Sequence, residues 1–393
     1  MMQFKRVFII VLDSVGIGYA KDADQFGDMG TNTLGNISTK VGLHVPNLEK
    51  FGLGNIYPLD TVKSVEAPVA YYTHMEPKSV GKDSVAGHWE FMGATLKEPF
   101  NNFTAHGFPK ELIDEFERRT GRKALGNKEA NGLKIIHELA DEQKATGGFI
   151  VYTSVDSTFQ IAAHEEWIGL DELYKACEIA RELTLSNPDW MVARVIARPF
   201  VGENGEYTRT GNRHDYALDP FEPIALTPLK EAGLDVISLG KINDLYNGVG
   251  ITESIPTKNN DDGVEKLLTL MDRDFTGLGY LNLVEFDSLY GHPRNPEGYR
   301  DALEQFDRQL PDIVAKLRED DLLLITADHG NDPTYKGNDH TRENVPLLAY
   351  SKAFKNGGNF AARMTFADLG ASVVENFDCE FSVGTSFLSE LGK

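Results

Sequence analysis

Three short apolar runs in this 393-residue chain each lead to an aspartate: Val7–Leu12 to Asp13, Tyr280–Phe286 to Asp287, and Leu322–Ala327 to Asp328. Short runs rich in branched and aromatic side chains read as strands buried in a parallel sheet. Such sheets form their ligand crevice beyond the carboxyl ends of the strands, so the three aspartates fall where a site would be. Histidines stand close by: His292 follows Asp287 by five residues, His329 is the neighbour of Asp328, and His340 comes eleven residues after His329.

Mixed carboxylate and imidazole donors suit Mn²⁺, Zn²⁺ or Fe²⁺ better than Ca²⁺, which prefers oxygen alone. Asp13, Asp328 and His329 are placed to hold one ion, and Asp287, His292 and His340 a second. Paired ions clamp a phosphoryl oxygen and activate a bridging nucleophile. The pattern therefore points to phosphate or sulfate ester chemistry.

The charge balance narrows the partners. Lysine and arginine number 39 against 60 acidic residues, a formal charge of −21. Nucleic-acid binding needs a basic face, so it is not expected; a small basic pocket for a phosphorylated substrate is still compatible. Cys177 and Cys379 have no second cysteine at ligand spacing, which fits a reducing cytoplasm and two packed thiols. The first apolar run is too short for a signal segment or a membrane span, and no other segment reads as one.

The ligand candidates lie in residues 1–95 and 280–340, with none between 99 and 220. That distribution predicts one core domain, residues 1–98 and 221–393, interrupted by an inserted cap, residues 99–220. Within the cap, helical spacing appears over residues 110–116, 131–139 and 170–185, and strands over 149–153 and 191–196. Residues 213–223, with two prolines, read as a connection. A strand follows over 236–241 and a helix over 262–272. The fold class expected is α/β with a mostly parallel sheet and an inserted α/β cap.

The bridging nucleophile is best sought in Gly81-Lys82-Asp83-Ser84-Val85-Ala86-Gly87-His88-Trp89-Glu90. A serine flanked by glycines before a helix can present its hydroxyl and nearby N–H groups to an anion. Asp-Ser before a helix is also a common N-cap. His88 and Trp89 read as residues that pack this helix.

These segments, with Leu12-Asp13-Ser14-Val15-Gly16-Ile17-Gly18, Phe286-Asp287-Ser288-Leu289-Tyr290-Gly291-His292 and Thr326-Ala327-Asp328-His329-Gly330-Asn331-Asp332, resemble the bacterial phosphopentomutase family of the alkaline phosphatase superfamily. Ala197-Arg198-Pro199-Phe200 and Thr208-Arg209-Thr210, with Asn212-Arg213-His214-Asp215-Tyr216, extend the likeness over nearly the whole chain. The metal motifs alone indicate only the superfamily. The cap motifs and Gly-His-Trp-Glu point to the family.

The resemblance implies an alkaline-phosphatase-like core, two Mn²⁺ ions, and Ser84 as the phosphorylated residue that also touches both metals. It departs in two places. Ser84-Val85-Ala86-Gly87 stands where the family has Thr-x-Thr-Gly, which keeps the hydroxyl and frees χ1, and Gly211 stands where proline is expected. A sugar phosphate needs cations, and Arg194, Arg198, Arg209 and Arg213 offer bidentate forks. The resemblance favours Ser154, Asp156, Arg194, Arg209 and Lys241 as substrate contacts, with Arg194, Arg209 and Lys241 at the distal phosphate or sugar.

The activity implied is interconversion of ribose 1-phosphate and ribose 5-phosphate, and of the 2-deoxyribose pair, in nucleoside catabolism and pentose phosphate metabolism. It would run through phosphoserine and a bound bisphosphate, primed by glucose 1,6-bisphosphate or ribose 1,5-bisphosphate. A cap would exclude water that wastes phosphoserine. The rivals are a cofactor-independent phosphoglycerate mutase or a phosphatase of the same superfamily, and a noncatalytic sugar-phosphate binder. The partners expected are small pentose phosphates, with no nucleic acid, membrane or obligate protein partner, in the cytoplasm.

Overall fold

The computed structural model describes residues 4–154 and 157–392, so Asp156 lies outside the described residues. The chain divides into two compact units, Met1–Glu98 with Asp219–Lys393, and Pro99–Leu218.

The first unit is built on an eight-stranded sheet. In chain order its strands are β1 (Arg6–Leu12), β2 (Tyr71–Met75), β3 (Asp235–Leu239), β4 (Glu253–Ile255), β5 (Gly277–Leu283), β6 (Asp321–Thr326), β7 (Val345–Tyr350) and β8 (Gly358–Asn359). Their order across the sheet is β4-β3-β5-β1-β6-β7-β2-β8. The pairings from β4 to β6 are all parallel, whereas β7 runs antiparallel to both β6 and β2. Every residue of β1, β5 and β6 is buried, as the near-continuous apolar runs demand of strands covered on both faces.

An ion pair sits inside this apolar centre. Arg6 is the register partner of Asp321 across β1 and β6. Its Nε donates to Asp321 Oδ1 at 2.8 Å and its Nη2 to Oδ2 at 2.6 Å, while Nη1 donates to the carbonyls of Met271 and Arg273. A fully buried guanidinium is tolerable only when its donors are matched in this way.

The second unit is a six-stranded sheet with helices on both faces. The strand path is Ala124–Glu129, Phe149–Thr153, Thr158–His164, Arg194–Glu203 and Glu206–Arg209, and His214–Ala217 pairs with residues 194–197 on the same edge of Arg194–Glu203 that Glu206–Arg209 uses. Alternation along the strands sorts the core. Phe149, Val151, Phe159 and Ile161 face the helices Lys110–Thr120 and Leu170–Ser186 through Leu112, Phe116, Leu173 and Cys177. Ile150, Tyr152 and Ala162 face the helix Gly132–Thr146 through Ile135, Ile136 and Ala140.

Two local expectations change. Residues 214–217 form a strand rather than a connection, because Tyr216 packs on the core beside Val195 and Ala197. The strand expected over 191–196 is Arg194–Glu203; Pro199 stays in the ladder opposite Ala163, and its carbonyl accepts from Thr210 N. Among the described residues, no helix is long and apolar enough to cross a membrane.

Candidate metal centre

Four adjacent parallel strands deliver side chains to one edge of the first sheet. Asp13 directly follows β1, Asp328 comes two residues after β6, and Lys241 two residues after β3. Asp287 is carried on a π-helical turn, Phe286–Gly291, just beyond β5. His340 sits on the loop joining β6 to β7. Ser84 opens the helix Ser84–Phe91, and Asp83 caps that helix by accepting from the N–H groups of Val85 and Ala86. Gly87 is needed here, because a Cβ at that position would run into the carbonyl of Asp328.

The first donor group is Asp13, Asp328 and His329, all buried and mutually close. His329 Nε2 lies 3.4 Å from Asp13 Oδ1 and 3.4 Å from Asp328 Oδ2. Ser84 Oγ is 3.5 Å from Asp13 Oδ1 and 3.4 Å from His329 Nε2. Donors bound to one ion at roughly 2.0–2.2 Å in tetrahedral fashion are about 3.4 Å apart, so these spacings match a shared cation better than direct hydrogen bonds.

The second donor group is Asp287, His340 and again His329. Asp287 Oδ1 is 3.3 Å from His340 Nε2, and Oδ2 is 3.2 Å from His292 Nε2. The structure thus brings His292 to Asp287, and sets His329 against both groups. His329 and His340 have ring centroids 4.3 Å apart.

The electrostatics ask for positive charge. Burial opposes ionisation of Asp287 and Asp328, yet His340 and His292 hold Asp287, and His329 holds Asp328, below the usual carboxylate range. Burial likewise disfavours charge on His329, but Asp328 and Asp13 overcome it and push its pKa up to about 10. Asp328 Oδ2 and His340 Nε2 are buried without an aligned hydrogen bond, an arrangement that costs free energy unless a ligand completes it. The donor set fits divalent cations.

Further residues orient these donors. His329 Nδ1 faces the carbonyl of Gly330 at 3.0 Å and His292 Nδ1 that of Asn338 at 2.6 Å; an N–H on each Nδ1 leaves Nε2 as the coordinating atom. Ser14 N donates to Asp328 Oδ1 at 2.9 Å, and Ser14 holds a φ of 72° while its hydroxyl bonds Tyr299 Oη. A non-glycine residue in that region stores strain of roughly 1–3 kcal/mol. Asn282 donates to Asp13 Oδ2 at 3.0 Å and Asn331 to Asp287 Oδ1 at 2.8 Å. The buried Glu343 accepts from Thr33 N, Thr33 Oγ1 and Thr341 Oγ1, tying the loop of His340 to the helix Thr33–Val41.

Sequence reasoning singled out none of Ser14, Asn282, Asn331 or Glu343. Asn282 carried a signal, a polar residue inside an apolar strand. The others had no local signature. His88 was read as packing; it is buried and hydrogen-bonded among the donors. Trp89 is buried, and its indole N–H donates to Leu245 O at 2.8 Å.

The proposed substrate contacts separate. Lys241 belongs to the first unit and donates to Ser84 Oγ at 3.1 Å, 3.9 Å from Asp13 Oδ2. It therefore stands at the serine hydroxyl rather than apart from it. Ser154, Arg194 and Arg209 belong to the second unit. Ser154 Oγ accepts from Gln160 Nε2, and Gln160 Oε1 accepts from Arg198 Nε, both at 3.1 Å. Asp215 pairs with Arg213 and Arg194; although burial opposes its charge, those arginines and Arg198 keep its pKa low. Arg209 and Tyr152 crowd the first turn of the helix Gly132–Thr146, where glycine makes room for them. Arg209 Nε is buried without a hydrogen-bond partner. Burial lowers the Arg198 pKa to about 10, with Arg213 adding to it.

The Metalloenzyme superfamily model matches residues 5–381, and the chain belongs to that superfamily. Its mixed α/β core is built on a mostly parallel sheet, and membership implies bound divalent metal. Among solved structures, a Pyrococcus horikoshii protein is similar with TM-score 0.50 and 14% identity over 98% of this chain and 100% of that one. The Leishmania mexicana phosphoglycerate mutase, solved at low cobalt concentration, gives TM-score 0.49 and 10% identity over 98% of each chain. An alkaline phosphatase superfamily protein from Vibrio parahaemolyticus gives 0.41 and 11% over 95% of this chain and 66% of that one.

Proposed function

We propose that this metalloenzyme is a phosphopentomutase, interconverting ribose 1-phosphate and ribose 5-phosphate and the 2-deoxyribose pair in the cytoplasm. The observation that carries the reading is the position of one alcohol. Ser84 Oγ lies 3.5 Å from Asp13 Oδ1, 3.4 Å from His329 Nε2 and 3.1 Å from Lys241 Nζ. A serine so placed is a nucleophile and not merely a helix-cap neighbour. The family's cap motifs then select pentose phosphate over other esters.

In this reading Asp13, Asp328 and His329 would hold one Mn²⁺, and Asp287, His292 and His340 the other, with Ser84 as a further ligand. The ions, when bound, neutralise charge on the phosphoryl oxygens and lower the barrier to their transfer. Ser84 carries the phosphoryl group. The free sugar hydroxyl takes it as the bond from phosphorus to Ser84 Oγ breaks, giving a sugar bisphosphate. The bisphosphate turns end for end and its other phosphate returns to Ser84, leaving the isomeric monophosphate. Lys241 donates to Ser84 Oγ and stabilises that oxygen as it becomes the leaving group. Ser154, Asp156, Arg194 and Arg209 contact the sugar and its distal phosphate, and a trace of glucose 1,6-bisphosphate or ribose 1,5-bisphosphate primes the serine.

A second reading is a cofactor-independent phosphoglycerate mutase, favoured by the serine in place of the threonine of phosphopentomutases. Protein loaded with Mn²⁺ and glucose 1,6-bisphosphate, assayed with ribose 1-phosphate and with 3-phosphoglycerate, separates the two. Intact-mass and peptide mapping should find one added phosphate on Ser84, absent from Ser84→Ala. Phosphate on another residue, or turnover of 3-phosphoglycerate alone, would overturn the proposal.

A further inference from the structure

The helix that begins at Ser84 carries His88 one turn later, fully buried. His88 Nδ1 lies 2.8 Å from the carbonyl oxygen of Ser84 and 3.2 Å from Asp328 Oδ2. A carbonyl and an ionised carboxylate only accept, so Nδ1 must bear the hydrogen. The bond is directed at Ser84, which leaves Asp328 Oδ2 without an aligned donor.

The other ring nitrogen faces a donor. His88 Nε2 is 3.4 Å from Asn282 Nδ2, and the same amide group donates to Asp13 Oδ2 at 3.0 Å. The Asp13 carboxylate fixes which end of the amide points inward, since the reverse orientation would set two acceptors face to face. Nε2 therefore stands as the acceptor to that amide, with the Nδ1–H turned toward Ser84. Packing holds its plane: Tyr280 stacks on it with centroids 6.0 Å apart, and Phe91 meets it edge-on at 5.6 Å. Tyr246 Oη closes the network by donating to the His88 carbonyl.

Asp13, Ser84 and Asp328 come from three distant parts of the chain, and His88 with Asn282 touches all three. We propose that His88 and Asn282 are a positioning pair for the cation held by Asp13, Asp328 and His329, with His88 acting through its Nδ1–H. The pair presets the spacing of the two carboxylates and anchors the backbone of the serine between them. Partners behind metal ligands are typically worth roughly 10–100-fold in metal affinity. The inference rests on the assignment of those three residues as ligands, and is independent of which phosphate ester the enzyme takes.

The test uses full-length protein stripped with chelator and titrated with Mn²⁺ by calorimetry, with the melting temperature of the stripped protein recorded for each variant. Wild type should take up two ions. His88→Ala and Asn282→Ala should each weaken one site by roughly 10–100-fold and leave the other unchanged. His88→Asn, whose amide nitrogen can occupy the Nδ1 position, should recover much of the loss, whereas His88→Gln should not. Wild-type affinity at both sites in His88→Ala and Asn282→Ala would overturn the pairing, as would equal recovery by His88→Asn and His88→Gln. If the alanine variants fail to fold, ¹⁵N NMR of histidine-labelled wild type decides: a hydrogen-bonded Nδ1–H at His88 is expected, and a bare Nδ1 refutes the proposal. Absence of Mn²⁺ uptake by wild type would instead refute the ligand assignment itself.

Discussion

Lys241 Nζ stands 3.1 Å from Ser84 Oγ, a contact between residues 157 positions apart that sets a cation against a hydroxyl poised among the metal donors. The salt bridge geometry to Asp13 Oδ2 is looser, at 3.9 Å, so the ammonium is directed chiefly at the serine. Lys241→Met should lower kcat by roughly 10²–10³-fold, the loss typical of removing one preorganised donor to a developing oxyanion, while Mn²⁺ stoichiometry stays at the wild-type value. Lys241→Arg should recover part of the rate. Steady-state kinetics with elemental analysis checks this, and a lost metal ion in Lys241→Met would reassign the residue to metal binding.

Metal stoichiometry probes the second donor group. Asp287 lies within 3.3 Å of both His292 and His340, and Asn331 satisfies one of its oxygens. Asp287→Ala and His340→Ala should each lose about one metal equivalent per chain, since a site stripped to two donors holds a divalent ion poorly. Elemental analysis after gel filtration reads the result. Unchanged stoichiometry in both variants would contradict a two-ion centre.

Stability depends on the buried pair of Arg6 and Asp321, neither of which is exposed at all. Removing one partner strands a charge, so Arg6→Ala and Asp321→Ala should each destabilise by roughly 3–5 kcal/mol. The double variant Arg6→Met with Asp321→Leu should cost much less than the sum. Urea denaturation measures this, and additive losses would show that the charges are not coupled.

Glu343 links stability to pH. Burial, reinforced by Asp332, raises its pKa from 4.5 to about 8. The folded state therefore retains a proton that the unfolded chain gives up at about 4.5. The stabilisation is fully present below that pH and falls as pH rises toward about 8, at up to about 1.4 kcal/mol per pH unit. Metal-free Glu343→Gln should be less stable overall, because one accepted bond is lost, but its stability should fall less steeply over that window. Urea curves of the two stripped proteins at pH 5, 6, 7 and 8 supply the comparison, in which other titrating groups cancel. Parallel pH profiles would show that Glu343 is ionised throughout.

Much of the α/β frame was legible because its signals are local. The buried strands β1, β5 and β6 follow from apolar runs, and the helices of the second unit from their spacing. Residues 214–217 escaped because a four-residue strand is defined by its partner Arg194–Ala197 and not by its own pattern. Asp13, Asp328 and His329 were marked as candidate ligands by their strand-end positions. The contact of His329 with the second donor group, and the place of Lys241 beside Ser84, carried no such mark.

What the sequence by itself determined is the class of element and the chemistry carried at each strand end, because hydrophobic periodicity and donor type are properties of neighbouring residues. Tertiary structure decided which donors share a centre, which alcohol meets them, and how His88, Asn282, Ser14 and Glu343 brace them. Those relations join positions as distant as Asp13 and His329. They arise only when the parallel strands align their carboxyl ends, and no local pattern encodes the register that brings them there.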